Sequence, residues 1–141
     1  MSKISPSADP LAANDLAIRN ILLLDDEVDL ADSLKATLES HNFVVTLARN
    51  GVEGLREILA MDFDVIICDM MMPTMPGDMF YLAVKKLKPK LCSRFLFITG
   101  HGGDDRVNNF LQQTDGIAIF KPVPAEELLQ MITYVIQRNE Q

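Results

Sequence analysis

The chain has 141 residues, of which 48% are hydrophobic and 23% charged, and this size suits one globular domain that buries roughly two thirds of its unfolded surface. Acidic residues outnumber basic ones, 20 to 13, and the net charge of −7 excludes a general binder of nucleic acid phosphates. No apolar run reaches the roughly 18 residues that a membrane helix needs. Cys68 and Cys92 lack the spacing of a zinc site or a disulfide framework, and this indicates reduced thiols and a cytoplasmic protein.

The amino-terminal segment is rich in serine and proline. Residues 1–18 are therefore predicted to be a flexible leader, within which 11–18 has the pattern of one short helix. Residues 19–141 are predicted to form the folded domain. Such a leader is compatible with a piece of a longer polypeptide.

Five apolar segments predict β-strands, at about 20–25, 43–48, 64–69, 94–99 and 116–121. All but the second are nearly uninterrupted, which is typical of parallel strands buried on both faces.

Each strand is followed by apolar residues three and four positions apart, the pattern of an amphipathic helix. These residues are Leu30, Leu34 and Leu38; Val52, Leu55 and Leu59; Phe80, Ala83, Val84 and Leu87; Val107, Phe110 and Leu111; and Leu128, Ile132, Val135 and Ile136. The fourth pattern is the shortest and includes Asn108 and Asn109, which are poor helix formers, so that helix is predicted to be the least stable. The alternation predicts an α/β fold with right-handed crossovers: a doubly wound, flavodoxin-like parallel sheet of five strands in the order 2-1-3-4-5.

Four of the five predicted strands end on a polar residue. Asp25 and Asp26 end the first, Asp69 the third, Thr99 the fourth and Lys121 the fifth. The carboxyl ends of parallel strands lie at one edge of a sheet, and ligands bind there at the switch point between the first and third strands. Three carboxylates, one hydroxyl and one ammonium are therefore expected in a single crevice.

Such a group of carboxylates requires a cation. Two carboxylates about 4 Å apart repel by roughly 4 kcal/mol at an effective dielectric constant near 20. Hard oxygen ligands favour Mg²⁺, which keeps several waters and leaves room for a phosphate oxygen. With Lys121 to offset charge and Thr99 to donate a hydrogen bond, an aspartate here is arranged to accept a phosphoryl group.

The motifs around these residues have a familiar order and spacing: Leu24-Asp25-Asp26-Glu27, the run from Asp69 to Gly77, Ile98-Thr99-Gly100 and Phe120-Lys121-Pro122. Over about residues 20–138 the chain resembles the receiver domains of two-component response regulators. The resemblance implies that Asp69 is the phosphoacceptor, that Asp26, Asp69 and the backbone carbonyl of Met71 bind Mg²⁺ directly, and that Asp25 assists through water.

The resemblance also implies that Thr99 and Lys121 contact the phosphoryl oxygens and that the bond between Lys121 and Pro122 is cis. The phosphoryl group is expected from a histidine of a sensor histidine kinase or of a histidine phosphotransfer domain. The receiver itself catalyses the transfer and signals to a downstream protein by a conformational shift. A homodimer through the last helices is compatible with the resemblance.

Two features depart from the family pattern. Ala118 stands where the family has an aromatic that turns inward on phosphorylation. Our hypothesis is that Phe110 or Phe120 fills that space. Met71 and His101 occupy the positions that tune phosphoryl lifetime, and neither is a carboxylate or amide that positions an attacking water. We therefore expect a fairly long-lived phosphoprotein.

Several alternatives remain open at this stage. The chain is compatible with a degenerate receiver that only binds proteins. It is less compatible with a phosphatase of the haloacid dehalogenase type, whose Asp-x-Asp motif follows the first strand, where this chain has Asp25-Asp26-Glu27. A flavin-binding module of the same strand order lacks its phosphate loop here. Helix capping would explain Asp25 and Asp26 but neither Asp69 nor Lys121. A stand-alone regulator and a receiver from a hybrid histidine kinase are both compatible with the sequence.

Overall fold

A computed structural model describes residues 18–100, 104–114 and 116–140. The predicted leader lies outside these residues, apart from Ile18, and so does His101. The division into leader and folded domain therefore stays a prediction. Within the described ranges, no helix has the length and apolar composition that crossing a bilayer requires.

The structure confirms the predicted α/β fold. The strands are β1 (Arg19–Leu24), β2 (Phe43–Ala48), β3 (Val65–Asp69), β4 (Phe95–Thr99) and β5 (Ala118–Phe120). The helices are α1 (Val28–Glu39), α2 (Gly51–Ala60), α3 (Gly77–Leu87), α4 (Asp105–Thr114) and α5 (Ala125–Arg138). All strand pairs are parallel, and the order across the sheet is β2-β1-β3-β4-β5.

The two faces of the sheet are covered by different helices. Successive side chains of a strand point to opposite faces, so Leu22 and Leu24 pack in a core with residues of α2, α3 and α4. Ile21 and Leu23 pack in a second core with residues of α1 and α5. Burial on both faces explains why β1, β3 and β4 are nearly continuous apolar runs.

Side chains fix the start of two helices. The Asn50 side chain accepts a hydrogen bond from the Glu53 N–H at the start of α2, and the Glu53 side chain accepts one from the Arg49 N–H. Asp104 accepts hydrogen bonds from the N–H groups of Arg106 and Val107 at the start of α4. Both helices thus begin where their unpaired N–H groups find acceptors.

The structure also differs from the sequence-based expectations. β5 has three residues rather than six and pairs with β4 alone, so it is an edge strand. A short 3₁₀ helix that the sequence did not predict, Pro89–Arg94, joins α3 to β4. As expected from its weak pattern, α4 buries a single side chain among its described residues, Val107.

Candidate functional site

Two acidic side chains lie at the centre of the sheet, where β1 and β3 are neighbours. Asp25 follows the last residue of β1, and Asp69 is the last residue of β3. Both residues are 2% exposed. Carboxylates almost never occur this deep in a protein unless they are paired or bind a cation. The boundary between β1 and β3 is the topological switch point, at which ligands bind in open α/β sheets.

The loops that follow these strands hold one oxygen of each carboxylate. Asp25 Oδ1 accepts a hydrogen bond from the Glu27 N–H at 2.9 Å, and Asp69 Oδ1 accepts one from the Met71 N–H at 3.0 Å. Both bonds span two residues and are typical of Asx turns. The carboxylates are therefore fixed by the local sequence, and each has its Oδ2 left for contacts across the crevice.

Lys121 comes to this centre from the edge strand. Its Nζ lies 3.2 Å from Asp69 Oδ2 and 3.9 Å from Asp25 Oδ2, and it donates a hydrogen bond to the carboxylate of Glu27. The Lys121 backbone N–H donates to the carbonyl of Thr99 at 2.9 Å. The peptide bond between Lys121 and Pro122 is cis, as the resemblance implies.

The site perturbs two pKa values. Burial raises the pKa of Asp25 from 3.8 to about 6, and the charge of Asp69 adds to this effect, while the hydrogen bond from the Glu27 N–H opposes it. Burial alone would lower the pKa of Lys121, but the hydrogen bond to Glu27 and the charges of Asp69 and Asp25 raise it above its ordinary value. Lys121 is therefore charged at neutral pH, whereas Asp25 resists ionisation.

The donor set fits a hard divalent cation. Carboxylate oxygens of Asp25, Glu27 and Asp69 all lie within 4.8 Å of one another. Asp25 Oδ2 is buried and has no hydrogen-bond partner among the residues that the structure describes. One ammonium cannot neutralise three carboxylates, so the site has both an excess of negative charge and an oxygen that lacks a partner. Mg²⁺ takes such oxygen ligands.

The structure places the remaining predicted residues around this centre. Thr99 is fully buried at the end of β4, next to β3. Met71 lies in the loop after β3 and is partly exposed. Asp26 is exposed and is not one of the three carboxylates that converge among the described residues. Glu27 converges in its place, and no role was predicted for it from the sequence.

The loop between Asp69 and α3 is held in an unusual conformation. Thr74 has φ 71°, and across it the Met75 N–H donates to the Pro73 carbonyl at 2.7 Å, which is a strained γ-turn. A Cβ on Gly77 would lie 2.6 Å from the carbonyl oxygen of Asp69, so only glycine lets α3 begin this close to β3. The loop thus keeps Met71 near the carboxylate of Asp69.

An aromatic side chain of α4 packs against Phe97, the β4 neighbour of Ala118. Phe110 makes edge-to-face contacts with Phe97 and Tyr81, at centroid distances of 5.3 and 5.4 Å, and Ala118 is the β5 partner of Phe97. Phe120 is 52% exposed. Of the two candidates for the space that Ala118 leaves, the structure therefore favours Phe110.

The fold and the site define a class of protein: a doubly wound α/β domain with an acidic, lysine-containing crevice at its switch point. A sequence profile described as the response regulator receiver domain matches residues 21–133. The chain belongs to this family and is a receiver domain of two-component response regulators. Neither the phosphatase nor the flavin-binding alternative is favoured by this match.

Relatives of known sequence are regulators about twice as long. The probable transcriptional regulator ycf29 of Pyropia yezoensis is 30% identical over 120 residues, which are 84% of this chain and 54% of that protein. The transcriptional regulatory protein ResD of Bacillus subtilis is 29% identical over 122 residues, 86% of this chain and 49% of that protein. The chain thus spans about half the length of these curated relatives.

Solved structures of similar chains match almost end to end. A CheY-like response regulator receiver domain protein from Methanospirillum hungatei superposes with a TM-score of 0.80 at 27% identity, covering 88% of this chain and 98% of the other. A receiver domain protein from Clostridium thermocellum has a TM-score of 0.76 at 32% identity, covering 87% and 98%. These matches agree with the strand order described above.

Proposed function

We propose that Asp69 is the phosphoacceptor and that it takes its phosphoryl group from a phosphohistidine of a sensor histidine kinase or a histidine phosphotransfer domain. The observation that carries this proposal is the position of the Asp69 carboxylate, which is buried at the switch point with Oδ2 3.2 Å from the ammonium of Lys121. The hydrogen bond from the Met71 N–H to Oδ1 fixes its orientation. A carboxylate held in this way is preorganised for attack.

The proposed step is an in-line transfer. A carboxylate oxygen of Asp69 attacks the phosphorus, the bond from phosphorus to the histidine nitrogen breaks, and the imidazole leaves with that electron pair and takes up a proton from solvent. Lys121 and the hydroxyl of Thr99 bind the oxygens on which negative charge is concentrated. The chain is in this sense a catalyst only of its own phosphorylation and dephosphorylation.

We propose Mg²⁺ as the cation, held by Asp26, Asp69 and the backbone carbonyl of Met71, with Asp25 acting through water. When bound, Mg²⁺ supplies positive charge to the phosphoryl oxygens and offsets their repulsion from the carboxylates. The partnerless Oδ2 of Asp25 supports a hydrated cation at this position. Asp26 is exposed, so its carboxylate has freedom to turn toward the cation.

The output is proposed to be contact with a downstream protein, and a homodimer through the last helices belongs to the same proposal. The net charge of −7 argues against direct nucleic acid binding by this domain. A cytoplasmic setting is proposed because Cys68 and Cys92 are both free thiols. The long phosphoryl lifetime expected from Met71 and His101 stays a prediction.

The test is phosphorylation by a small phosphodonor. We expect the wild-type protein, incubated with an acyl phosphate and Mg²⁺, to gain the mass of one phosphoryl group in intact mass spectrometry. Asp69→Asn, which removes the nucleophilic oxygen, is expected to gain none. Asp62→Asn is the matched control, because Asp62 is an exposed carboxylate paired with Lys88, and it should behave as wild type.

A degenerate receiver gives a different result in the same experiment. If the wild-type protein gains no phosphoryl group in the presence of Mg²⁺, or if Asp69→Asn gains one as readily, Asp69 is not the acceptor. Omission of Mg²⁺ should slow the wild-type reaction strongly, and an unchanged rate without the cation would contradict the proposed metal site.

A further inference from the structure

The ammonium of Lys121 is shared among three carboxylates that are held in different ways. Asp25 and Asp69 are buried, and one oxygen of each is fixed by a backbone N–H. The side chain of Glu27 is 58% exposed, and it hydrogen-bonds to the ammonium from the solvent side. Of these three partners, Glu27 can leave the ammonium with the least disturbance of the protein.

The position of Glu27 in the chain is also unusual. Glu27 is the N-cap residue of α1, with extended backbone angles, yet its side chain makes no capping hydrogen bond to its own helix. It reaches instead to a lysine 94 residues away in sequence. The positive end of the α1 dipole stabilises a carboxylate near the helix start. The Glu27 carboxylate therefore remains stabilised at this end of the helix after it leaves Lys121.

A phosphoryl group on Asp69 competes with Glu27 for the same ammonium. Lys121 has three N–H donors, and the charges of Asp25, Glu27 and Asp69 already exceed its single positive charge. The phosphoryl oxygens add negative charge beside Asp69. The repulsion between Glu27 and these oxygens favours departure of the exposed carboxylate.

We propose that Glu27 is a positioning residue whose carboxylate hydrogen-bonds to the Lys121 ammonium in the unphosphorylated receiver. On phosphorylation, the ammonium must exchange the Glu27 carboxylate for phosphoryl oxygens. This inference rests on the proposed role of Asp69. It makes Glu27 a built-in competitor of the phosphoryl group, which lowers the affinity of the site for phosphoryl-like anions and slows phosphorylation.

The experiment compares Glu27→Gln with wild type at saturating Mg²⁺. The two readouts are the affinity for beryllofluoride, a tetrahedral phosphoryl mimic, by calorimetry, and the rate of phosphorylation by an acyl phosphate. We expect Glu27→Gln to bind beryllofluoride roughly two- to fivefold more tightly, the range that loss of an exposed ion pair allows, and to react faster by a similar factor. The Mg²⁺ affinity of each variant is measured separately, so that a saturating Mg²⁺ concentration can be chosen for both.

Glu39→Gln is the matched control. Glu39 is also an exposed carboxylate on a lysine, 3.0 Å from Lys35 at the far end of α1, and its substitution changes the net charge equally. It should leave both readouts unchanged.

Unchanged or weaker beryllofluoride binding by Glu27→Gln overturns the inference, and so does an equal effect of Glu39→Gln. These results leave the proposed function intact as long as the wild type is phosphorylated on Asp69. If the wild type takes up neither the phosphoryl group nor beryllofluoride with Mg²⁺, the proposed function fails and the role of Glu27 fails with it.

Discussion

Asp25 has a buried carboxylate oxygen that no hydrogen-bond donor of the described part of the chain reaches. Its pKa is raised to about 6 by burial and by the charge of Asp69. Between pH 4 and pH 6 the folded protein holds a proton on Asp25 that the unfolded chain has already lost. Stability therefore falls as the pH rises through this window, because the folded state binds more protons. In the absence of a cation, Asp25 destabilises the fold at neutral pH.

The corresponding variant is Asp25→Asn, studied without divalent cations. We expect it to equal wild type in stability below about pH 4, where both side chains are neutral, and to exceed it by up to about 3 kcal/mol above pH 6. Urea unfolding at a series of pH values measures the difference. A variant less stable than wild type at pH 7 would contradict this account of Asp25.

Asp62→Asn is a control for which the expected change in stability at neutral pH has the opposite sign. The hydrogen bond from Lys88 lowers the pKa of the Asp62 carboxyl, so its ionised form contributes stability that is present above the unfolded pKa and lost as the pH falls. The asparagine variant should therefore be slightly less stable than wild type at pH 7 and equal to it in acid. The two aspartates separate the effect of burial from a general effect of charge.

The contrast between Lys121 and Glu27 shows how far the sequence predicts the site. The residues that end strands, Asp69 and Lys121 among them, could be assigned to one edge because parallel strands share their direction. Glu27 could not be assigned, because its role depends on a lysine from the far edge of the sheet reaching back across the crevice. The available signal was its position two residues after Asp25, which places it at the same strand end.

At the scale of elements, α4 is the most weakly anchored helix. It buries Val107 fully and holds Phe110 against Phe97 and Tyr81, in the space beside Ala118. These aromatic contacts therefore make up much of its attachment to the sheet. A helix attached in this way can shift without disruption of the central strands.

This attachment predicts different effects for two phenylalanines. We expect Phe110→Ala to lower the free energy of unfolding by about 2 to 3 kcal/mol, because it removes the edge-to-face contacts and leaves a cavity. Phe120→Ala should change it by less than about 1 kcal/mol, since that side chain is half exposed. Denaturant unfolding measures both, and equal losses would contradict the assignment of Phe110 to the space beside Ala118.

The elements themselves were predictable in type but not in extent. The apolar runs of β1, β3 and β4 predicted both that these segments are strands and that they are buried, because strands covered on two faces need apolar residues throughout. β5 has half its predicted length, with two of the excess residues before its start and one after its end. The extent of an edge strand depends on where the chain approaches and leaves its single neighbour, and that geometry is tertiary. The 3₁₀ helix at 89–94 was missed, since Pro89 marks the end of α3 without indicating a further helical turn.

For the whole molecule, the proposed cation site is expected to couple cation binding to folding. The carboxylates of Asp25, Glu27 and Asp69, at the ends of β1 and β3, repel one another, and Lys121 offsets this repulsion only in part. A divalent cation that binds only the folded protein is expected to relieve the rest. The gain in stability follows the cation concentration, and reaches about 2.7 kcal/mol at one hundred times the dissociation constant.

We therefore expect Mg²⁺ to raise the melting temperature of the wild-type protein in proportion to the logarithm of its concentration. Sodium chloride at equal ionic strength should give little change, and Asp25→Asn should respond less to Mg²⁺ because it already lacks part of the repulsion. Calorimetric melting curves provide the measurement. A melting temperature that does not respond to Mg²⁺ would contradict the proposed cation site.

The hydrogen bond from the Lys121 N–H to the Thr99 carbonyl joins the ends of β4 and β5 through their main chains. We therefore expect a displacement of Thr99 toward an anion in the crevice to move Lys121 in the same direction through the main chain. Because β5 has a neighbour on one side alone, it can follow as a unit. A displacement at the end of β4 is thus transmitted to the edge strand β5 along the backbone.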